Sequence, residues 1–459
     1  MNTHNRLSRR HFIQRSAAAT LAAAVFPSIV PSSVLGAPGQ PAPSNRITLG
    51  AIGVGPQGRG VMSGFLAQPD ARVIALCDPL KLNLDQAVNQ VNSHYKNKDV
   101  VTYADYRELL ARPDIDAVLI ATPDHWHVPV ALAAAKAGKD MYVEKPLGLS
   151  VEEDQMLRQA CQKKKVMFQF GTQQRSDQKF RKACELVRNG RIGKLKQINV
   201  WCSASRPGGP TDPVPVPEGL NYDLWLGPAP QTPYTEGKAF DTPRSWKTWW
   251  FNYDYALGFI AGWGVHPLDI ALWGYPEMMK APIEVKGQGI IPTTGACNTA
   301  VAWSVEFALA GDVRMVFRGT RNDSPPNALN NFDDWKARYA EVRDHGTAFE
   351  GTDGWVVVDR SKVWSSPETL VEEKPDTYTT KLVKSSHHQR NLLDAIKTRQ
   401  PAVCPIEEAV QADILCHLSD IATRVPRTLV FDPVKEVFPK DKEANRKLAL
   451  RPMRKGYRL

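Results

Sequence analysis

The sequence predicts an α/β protein whose N-terminal half is a doubly wound parallel sheet. Three observations carry this. An apolar strand runs directly into a glycine-rich turn and a helix over residues 47–65, a second apolar strand ends in a carboxylate at Asp78, and strand-length and helix-length patterns then alternate to residue 170. Parallel neighbours need crossovers of a dozen or more residues, and helices of this length supply them.

The first strand, residues 47–52, reads Ile-Thr-Leu-Gly-Ala-Ile and leads into Gly53-Val54-Gly55-Pro56-Gln57-Gly58. In that strand-turn-helix setting Gly53 makes the tight turn, Gly55 lets backbone approach a pyrophosphate, and Gly58 lets the helix pack on the strand. The helix N-terminus offers N–H donors and the positive end of its dipole. The second strand, residues 71–77, ends in Asp78, 20 residues after Gly58. A carboxylate there accepts from the adenosine ribose hydroxyls and repels a 2′-phosphate, so NAD is expected and NADP is disfavoured. Asp78 also precedes Pro79, where it suits a helix cap, and the two roles are compatible. Further strands are predicted over 100–103, 117–121, 140–144 and 166–170, with helices over 106–111, 128–138 and 151–163. The run Lys163-Lys164-Lys165 reads as the solvated end of a helix. Ligands of such sheets bind beyond the carboxyl ends of the strands.

With 459 residues, 42% hydrophobic and 23% charged, the chain has room for two or three domains and a sizeable core, and global disorder is excluded. The net charge of +10 sits at the ends: residues 1–45 hold four arginines and no acid, residues 435–459 hold nine Lys/Arg against three acids, and the body between is neutral. A neutral body lacks the basic face that nucleic acid requires. At the start, Ser8-Arg9-Arg10-His11-Phe12-Ile13 precedes an alanine-rich apolar run over 17–29 and small residues around Leu35-Gly36-Ala37. That order is a signal peptide, too short and too interrupted by Pro27 for a spanning helix, and the paired arginines resemble the twin-arginine export signal, which carries folded proteins. A periplasmic or otherwise exported protein with no integral membrane segment after cleavage is expected. The seven cysteines (Cys77, Cys161, Cys184, Cys202, Cys297, Cys404, Cys416) form no metal-spaced pair and an odd number, which suggests neither a zinc site nor a disulfide framework and suits folding in a reducing compartment before export.

Two motifs lie at predicted strand ends: Thr122-Pro123-Asp124-His125-Trp126-His127 after the fourth and Glu144-Lys145-Pro146 after the fifth. An ammonium at Lys145, beside a dinucleotide, would hydrogen-bond a carbinol and stabilise its oxyanion while hydride leaves carbon; its bland alternative is a salt bridge to Glu144. His125 and His127, spaced i, i+2 without acid or thiolate company, read as cofactor-lining or structural rather than metal ligands, and no metal is expected. Together with the glycine turn, these motifs resemble the Gfo/Idh/MocA oxidoreductase family, and the resemblance extends through Gly171-Thr172-Gln173-Gln174-Arg175, Asn189-Gly190-Arg191-Ile192-Gly193, the stretch 262–274 and a closing helix around 390–397. It implies a second α+β domain with an open, mostly antiparallel sheet closing over the cofactor. It implies that Gln57, Thr122, Pro123, His127, Glu144 and Lys145 join Gly53, Gly55, Gly58 and Asp78 around NAD. Trp126, Gln174, Arg175 and Trp263 are expected to face substrate.

From residue 195 the chain changes character, with strand-like runs at 196–201, 283–287, 300–307, 313–317 and 355–359 between long Pro/Gly-rich stretches. The expected organisation is a signal peptide over 1–37, a dinucleotide domain over 46–171, a substrate domain over 172–435 and a basic tail over 436–459. Seven of the twelve tryptophans fall between residues 201 and 273, a density suited either to a carbohydrate pocket or to filling the domain interface. Gly264-Val265-His266-Pro267-Leu268-Asp269 resembles the family's second catalytic motif, with one departure: the acid expected four residues before the histidine is Gly262. His266 is the natural base for a carbinol proton, and Asp269, at i, i+3, is the surrogate expected to orient it. The leading expectation is an exported NAD(P)-dependent oxidoreductase acting on a hydroxyl of a sugar or glycoside, with its cofactor tightly bound, working as a homo-oligomer. The alternatives are a glycoside hydrolase of the same family that oxidises its sugar transiently, and a non-catalytic sugar-binding module.

Overall fold

The computed structural model describes residues 45–240, 247–320, 329, 331–374 and 378–459. The export signal read in residues 1–37 lies outside them. Strands β1 (Ile47–Ile52), β2 (Ala71–Cys77), β3 (Val101–Tyr103), β4 (Ala117–Ile120), β5 (Asp140–Val143) and β6 (Phe168–Phe170) form one sheet in the order β3-β2-β1-β4-β5-β6, every pair parallel. β4, β5 and β6 are buried along their whole length, as strands covered on both faces must be. The crossovers are α1 (Pro56–Leu66), α2 (Lys81–Tyr95), α3 (Tyr106–Leu110), α4 (Asp124–Lys136) and α5 (Val151–Lys164). Ser150 caps α5 by accepting from the Glu153 N–H, and three acids in its first turn and Lys163 and Lys164 in its last complement the helix dipole.

One boundary shifts in a way that matters for the site. α4 begins at Asp124, directly after Pro123, and not at residue 128, so Asp124, His125, Trp126 and His127 form its first turn. The apolar periodicity starts only after His127, which is why the sequence pattern placed the helix late.

The second sheet has eight strands: β7 (Leu195–Ser203), β8 (Ile283–Ile290), β9 (Ala302–Leu309), β10 (Val313–Thr320), β11 (Gly346–Gly351), β12 (Trp355–Val358), β13 (Val363–Ser366) and β14 (Leu429–Phe431). Their order is β13-β12-β11-β7-β10-β9-β8-β14, with β7 and β10 parallel and every other pair antiparallel. The open, mostly antiparallel sheet is therefore present. Its inner strand β11 escaped the sequence pattern because glycine opens it: a Cβ on Gly346 would lie 2.4 Å from Trp201 Cζ2, so packing against that ring requires the residue that weakens the strand signal.

The helices of this half are α6 (Gln178–Arg188), α7 (Tyr222–Leu226), α8 (Phe259–Gly262), α9 (Val265–Gly274), α10 (Asp333–Tyr339), α11 (His388–Thr398), α12 (Ile406–Arg424) and α13 (Lys442–Leu448). α12 is buried along most of its length and packs on β8, α9 and α5, which binds the two sheets into one body. The basic segment 436–459 packs in part against the body of the protein. Phe438, Ala444 and Leu448 are buried, α13 folds against α12, and Arg454 donates to the Gly227 carbonyl. Charge counting missed the apolar residues threaded through the basic run. All seven cysteines are buried thiols without a disulfide.

Candidate active site

A cavity of about 500 Å³ opens along the carboxyl ends of β1, β2, β4 and β5. Its floor is the glycine turn. Gly53 has φ +79°, and a Cβ there would meet the Thr122 nitrogen at 2.5 Å; a Cβ on Gly58 would meet the Gly53 oxygen at 2.0 Å. Gly55 differs, because only Asn83 Nδ2 lies near a Cβ there, at 3.6 Å. Its missing side chain leaves open the approach to the N-terminus of α1, where a pyrophosphate belongs. Asp78 borders the same cavity, and its carboxylate accepts from the Val54 and Leu80 N–H groups at 2.9 Å and from the Asn83 amide. Burial raises its pKa to about 6 against those bonds, leaving an anion at neutral pH on the wall where the ribose hydroxyls belong. Gln57, Thr122, Pro123, His127, Glu144 and Lys145 also border the cavity, so these residues fit a dinucleotide.

The opposite wall comes from the second half of the chain. Leu220, Leu224, Trp225, Phe240, Trp249 and Trp250 face the groove from a strap formed by residues 206–240 and 247–256. The strap is tied down right beside Asp78: the Lys81 N–H donates to the Gly219 carbonyl and the Asn221 N–H to the Pro79 carbonyl, each at 2.9 Å. A second tie lies at α4, where Trp126 Nε1 donates to the Trp225 carbonyl at 2.9 Å and the His125 N–H to the Tyr255 carbonyl at 3.1 Å. Arg454 closes it from the C-terminal end through the Gly227 and Asp223 carbonyls.

At the other end of the groove Lys145 leaves β5 and donates from Nζ to the Gly262 carbonyl at 3.0 Å. No ion pair joins it to Glu144. Two of its three N–H groups remain for a ligand. Four residues after Gly262, His266 is 5% exposed and its Nδ1 has no hydrogen-bond partner. Burial, reinforced by the charges of Lys145 and Arg360, holds it well below the usual imidazole range, so it is a neutral acceptor. Trp263 packs against His266 and His345, at 5.6 Å and 5.4 Å between ring centroids, with the Arg360 guanidinium 4.7 Å over its face.

Several expected roles take a different shape. Asp269 does not orient His266: its oxygens accept from Arg175 Nε at 2.8 Å and Nη2 at 2.5 Å, and Arg175 also pairs with Glu408. Arg175, with no exposed side-chain surface, is thus a clamp inside the core and not a substrate contact. Trp126 borders the groove, with its Nε1 donating to the Trp225 carbonyl and its ring in edge contact with Tyr106 and Tyr457. His127 lies between two backbone carbonyls, Pro146 at 2.6 Å and Thr122 at 2.8 Å, tying the two strand-end loops together. Both ring nitrogens of His127 thus meet protein oxygens, whereas His125 contacts the Trp225 carbonyl through Nε2 and its buried Nδ1 has no hydrogen-bond partner. Gln174 fits a ligand contact better, because both polar atoms of its buried amide lack partners. Of the dense tryptophans, Trp249 and Trp250 wall the groove and Trp201 and Trp273 are core, while Trp246 lies outside the described residues.

Asp124, His345 and Arg360 were not singled out from the sequence. Asp124 is 3% exposed, borders the groove with Oδ2 unpartnered, and is pushed up to about 8 by burial, against the pull of Lys145. Its place as the third residue of the Thr-Pro-Asp motif was the one available signal. His345 and Arg360 sit outside any motif and reach the site only through the second sheet.

The family model of an oxidoreductase NAD-binding Rossmann fold matches residues 47–172, and that of the same family's C-terminal α/β domain matches 201–331 and 340–459. The chain is 36% identical over 166 residues to an alpha-N-acetylgalactosaminidase of Shewanella oneidensis, covering 33% of this chain and 36% of that protein. It is 35% identical over 164 residues to a glycosyl hydrolase family 109 protein of Shewanella baltica, with the same shares covered. The match spans about a third of the length of these relatives. Among solved structures, the aldose-aldose oxidoreductase from Caulobacter crescentus superposes with TM-score 0.59 at 16% identity, covering 84% of this chain and 99% of that one. The WlbA dehydrogenase from Bordetella pertussis, in complex with NADH and UDP-GlcNAcA, gives 0.59 at 15% identity over 83% and 98%. At these identities the likeness is one of fold.

Proposed function

Since the chain belongs to the Gfo/Idh/MocA oxidoreductase family and carries its NAD-binding domain, we propose that it exchanges hydride between a resident NAD and a hydroxyl-bearing carbon of a sugar or glycoside. The carrying observation is that Lys145, on the wall of the dinucleotide groove, donates to the Gly262 carbonyl four residues before His266, whose buried Nδ1 is unpartnered and whose imidazole feels the Lys145 charge. A nicotinamide held by the glycine turn and Asp78 would supply the hydride acceptor. The chain does the rest. His266 Nδ1 takes the carbinol proton, and a Lys145 N–H donates to the carbinol oxygen as the C–O bond gains double-bond character. The amide of Gln174 offers one donor pair and one acceptor for hydroxyls.

The strap supports a cofactor that stays bound through many turnovers, since release would break the backbone pairs at Pro79–Lys81. Export in loaded form through the twin-arginine route, suggested by Arg9 and Arg10, belongs to the same reading, because a folded protein takes its nucleotide along. A second reading is favoured by the same strap. A resident nicotinamide that is reduced and re-oxidised within one cycle suits net hydrolysis, the activity in the names of the Shewanella relatives.

One experiment tests both. The purified mature protein, with no added cofactor, is mixed with hexoses, disaccharides and aryl glycosides while nicotinamide absorbance and aglycone release are followed. Reduction of the bound nicotinamide by a sugar is the expected outcome; sustained aglycone release identifies the hydrolase. A loaded protein that shows neither with any sugar overturns the proposal.

A further inference from the structure

Behind the loop that follows Lys145, three side chains from two helices converge in the dry interior. Asp413 and His417 lie one turn apart on α12, and Asp154 lies in the first turn of α5. Both aspartates are 0% exposed and His417 is 3% exposed. His417 Nε2 is 3.3 Å from Asp413 Oδ2 and 3.4 Å from Asp154 Oδ2, and the three ligand atoms lie within 4.8 Å of one another. Nε2 and both Asp154 oxygens have no hydrogen-bond partner. Buried polar atoms are rarely left so, and three in one spot need a common explanation.

The two separations are too long for a charge-assisted hydrogen bond, which runs at about 2.7–2.9 Å. They match something else. A tetrahedron with metal–ligand bonds of about 2.0–2.1 Å has edges of about 3.3–3.4 Å. We propose that Asp154, Asp413 and His417 bind one divalent transition-metal ion, zinc by ligand set and spacing, with water in the fourth position. Two carboxylates and a neutral imidazole balance a divalent charge in a place where an unbalanced one is costly. The ion's role is structural. Asp413 also accepts from the Leu147 and Gly148 N–H groups at 3.1 and 3.3 Å, so the ion anchors the loop leaving Lys145. Gly148 leaves the space it needs, since a Cβ there would fall 2.5 Å from Asp154 Oδ1. The rival occupant is a proton that turns His417 into an imidazolium between the two aspartates.

Elemental analysis of the untagged full-length protein, purified without chelators, separates the two. About one equivalent of zinc, manganese or iron per chain is expected, with a Tm that falls on chelation and recovers when the ion is restored. The isosteric Asp154→Asn should carry less than about a tenth of an equivalent while keeping its bound nucleotide as a sign of folding. Folded wild-type protein that contains NAD but no metal, and whose Tm ignores added zinc, manganese and iron, overturns the proposal. So does an Asp154→Asn protein that keeps a full equivalent. Should that variant fail to fold, the wild-type metal content and the Tm response decide alone.

Discussion

At one end of the groove Asp78 accepts from Val54, 24 positions away, and from Leu80 and Asn83 just beyond it. At the other, Lys145 reaches Gly262 across 117 positions, and the imidazole that completes the site belongs to the second half of the chain. Two buried carboxylates of the groove, Asp78 and Asp124, differ in the same sense. Asp78, surrounded by donors, is held at about 6 and is an anion at neutral pH, whereas Asp124, with an orphaned oxygen, is pushed to about 8 and is neutral. Holding the nucleotide is a task of one contiguous stretch, with the strap closed over it. The chemistry requires both halves. Damage at the reacting end should therefore leave the nucleotide in place.

The largest effect is expected where the two halves meet. Lys145→Met removes the donor to the carbinol oxygen, and His266→Ala removes the base; each should slow single-turnover reduction of the bound nicotinamide by about 100-fold or more. Nucleotide released on denaturation should remain at the wild-type level in both variants. A loss of NAD that parallels the loss of rate would mean that the two ends are not separable.

Asp269 sharpens the contrast, because it lies one helical turn from His266 and yet serves Arg175. Asp269→Asn leaves a buried guanidinium partly uncompensated, a change that typically costs about 3–5 kcal/mol of stability. Denaturant unfolding should show that loss, while the rate per folded, loaded molecule falls far less than in His266→Ala. Equal rate losses in the two variants, with Asp269→Asn as stable as wild type, would restore Asp269 as the group that orients the base.

What could be read from the sequence follows the same division. The turn from Gly53 to Gly58, Asp78 and Lys145 are each adjacent to a strand end in the chain, so local pattern and strand-end logic suffice to find them. Arg175 and Asp269 are 94 positions apart, and Glu408 is 233 positions from Arg175. Helix spacing offered His266 as the partner of Asp269 instead. On α9 every residue is buried, so sharing a helical face carries no information about pairing. Arg175 beside Gln174 looked like one polar site, yet adjacent residues point apart, and only Gln174 keeps its polar atoms unpartnered. β11 was hidden by the glycine that lets it pass Trp201, and the C-terminal segment by a charge count that ignores its apolar residues.

The smallest effect at neutral pH is expected at Asp124. A protonated carboxyl and a carboxamide have nearly the same shape, and each offers both a donor and an acceptor, so Asp124→Asn should change the rate at pH 7 little. The difference appears on titration. Unfolded, Asp124 releases its proton near 3.8; folded, it keeps it to about 8. Between those values the folded state binds a proton that the unfolded state has lost, so stability falls as pH rises through this window. The limit for one proton is about 1.4 kcal/mol per pH unit. Asparagine cannot titrate, and the variant should therefore lose less stability than wild type between pH 4 and 8, as read from Tm against pH. Above pH 8 the wild type acquires an anion at the groove wall near Lys145, and its rate should bend where the variant's does not. Superimposable Tm profiles for the two proteins would mean that Asp124 is ionised throughout. The contrast between an ionised Asp78 at the nucleotide end and a protonated Asp124 beside Lys145 would then fail.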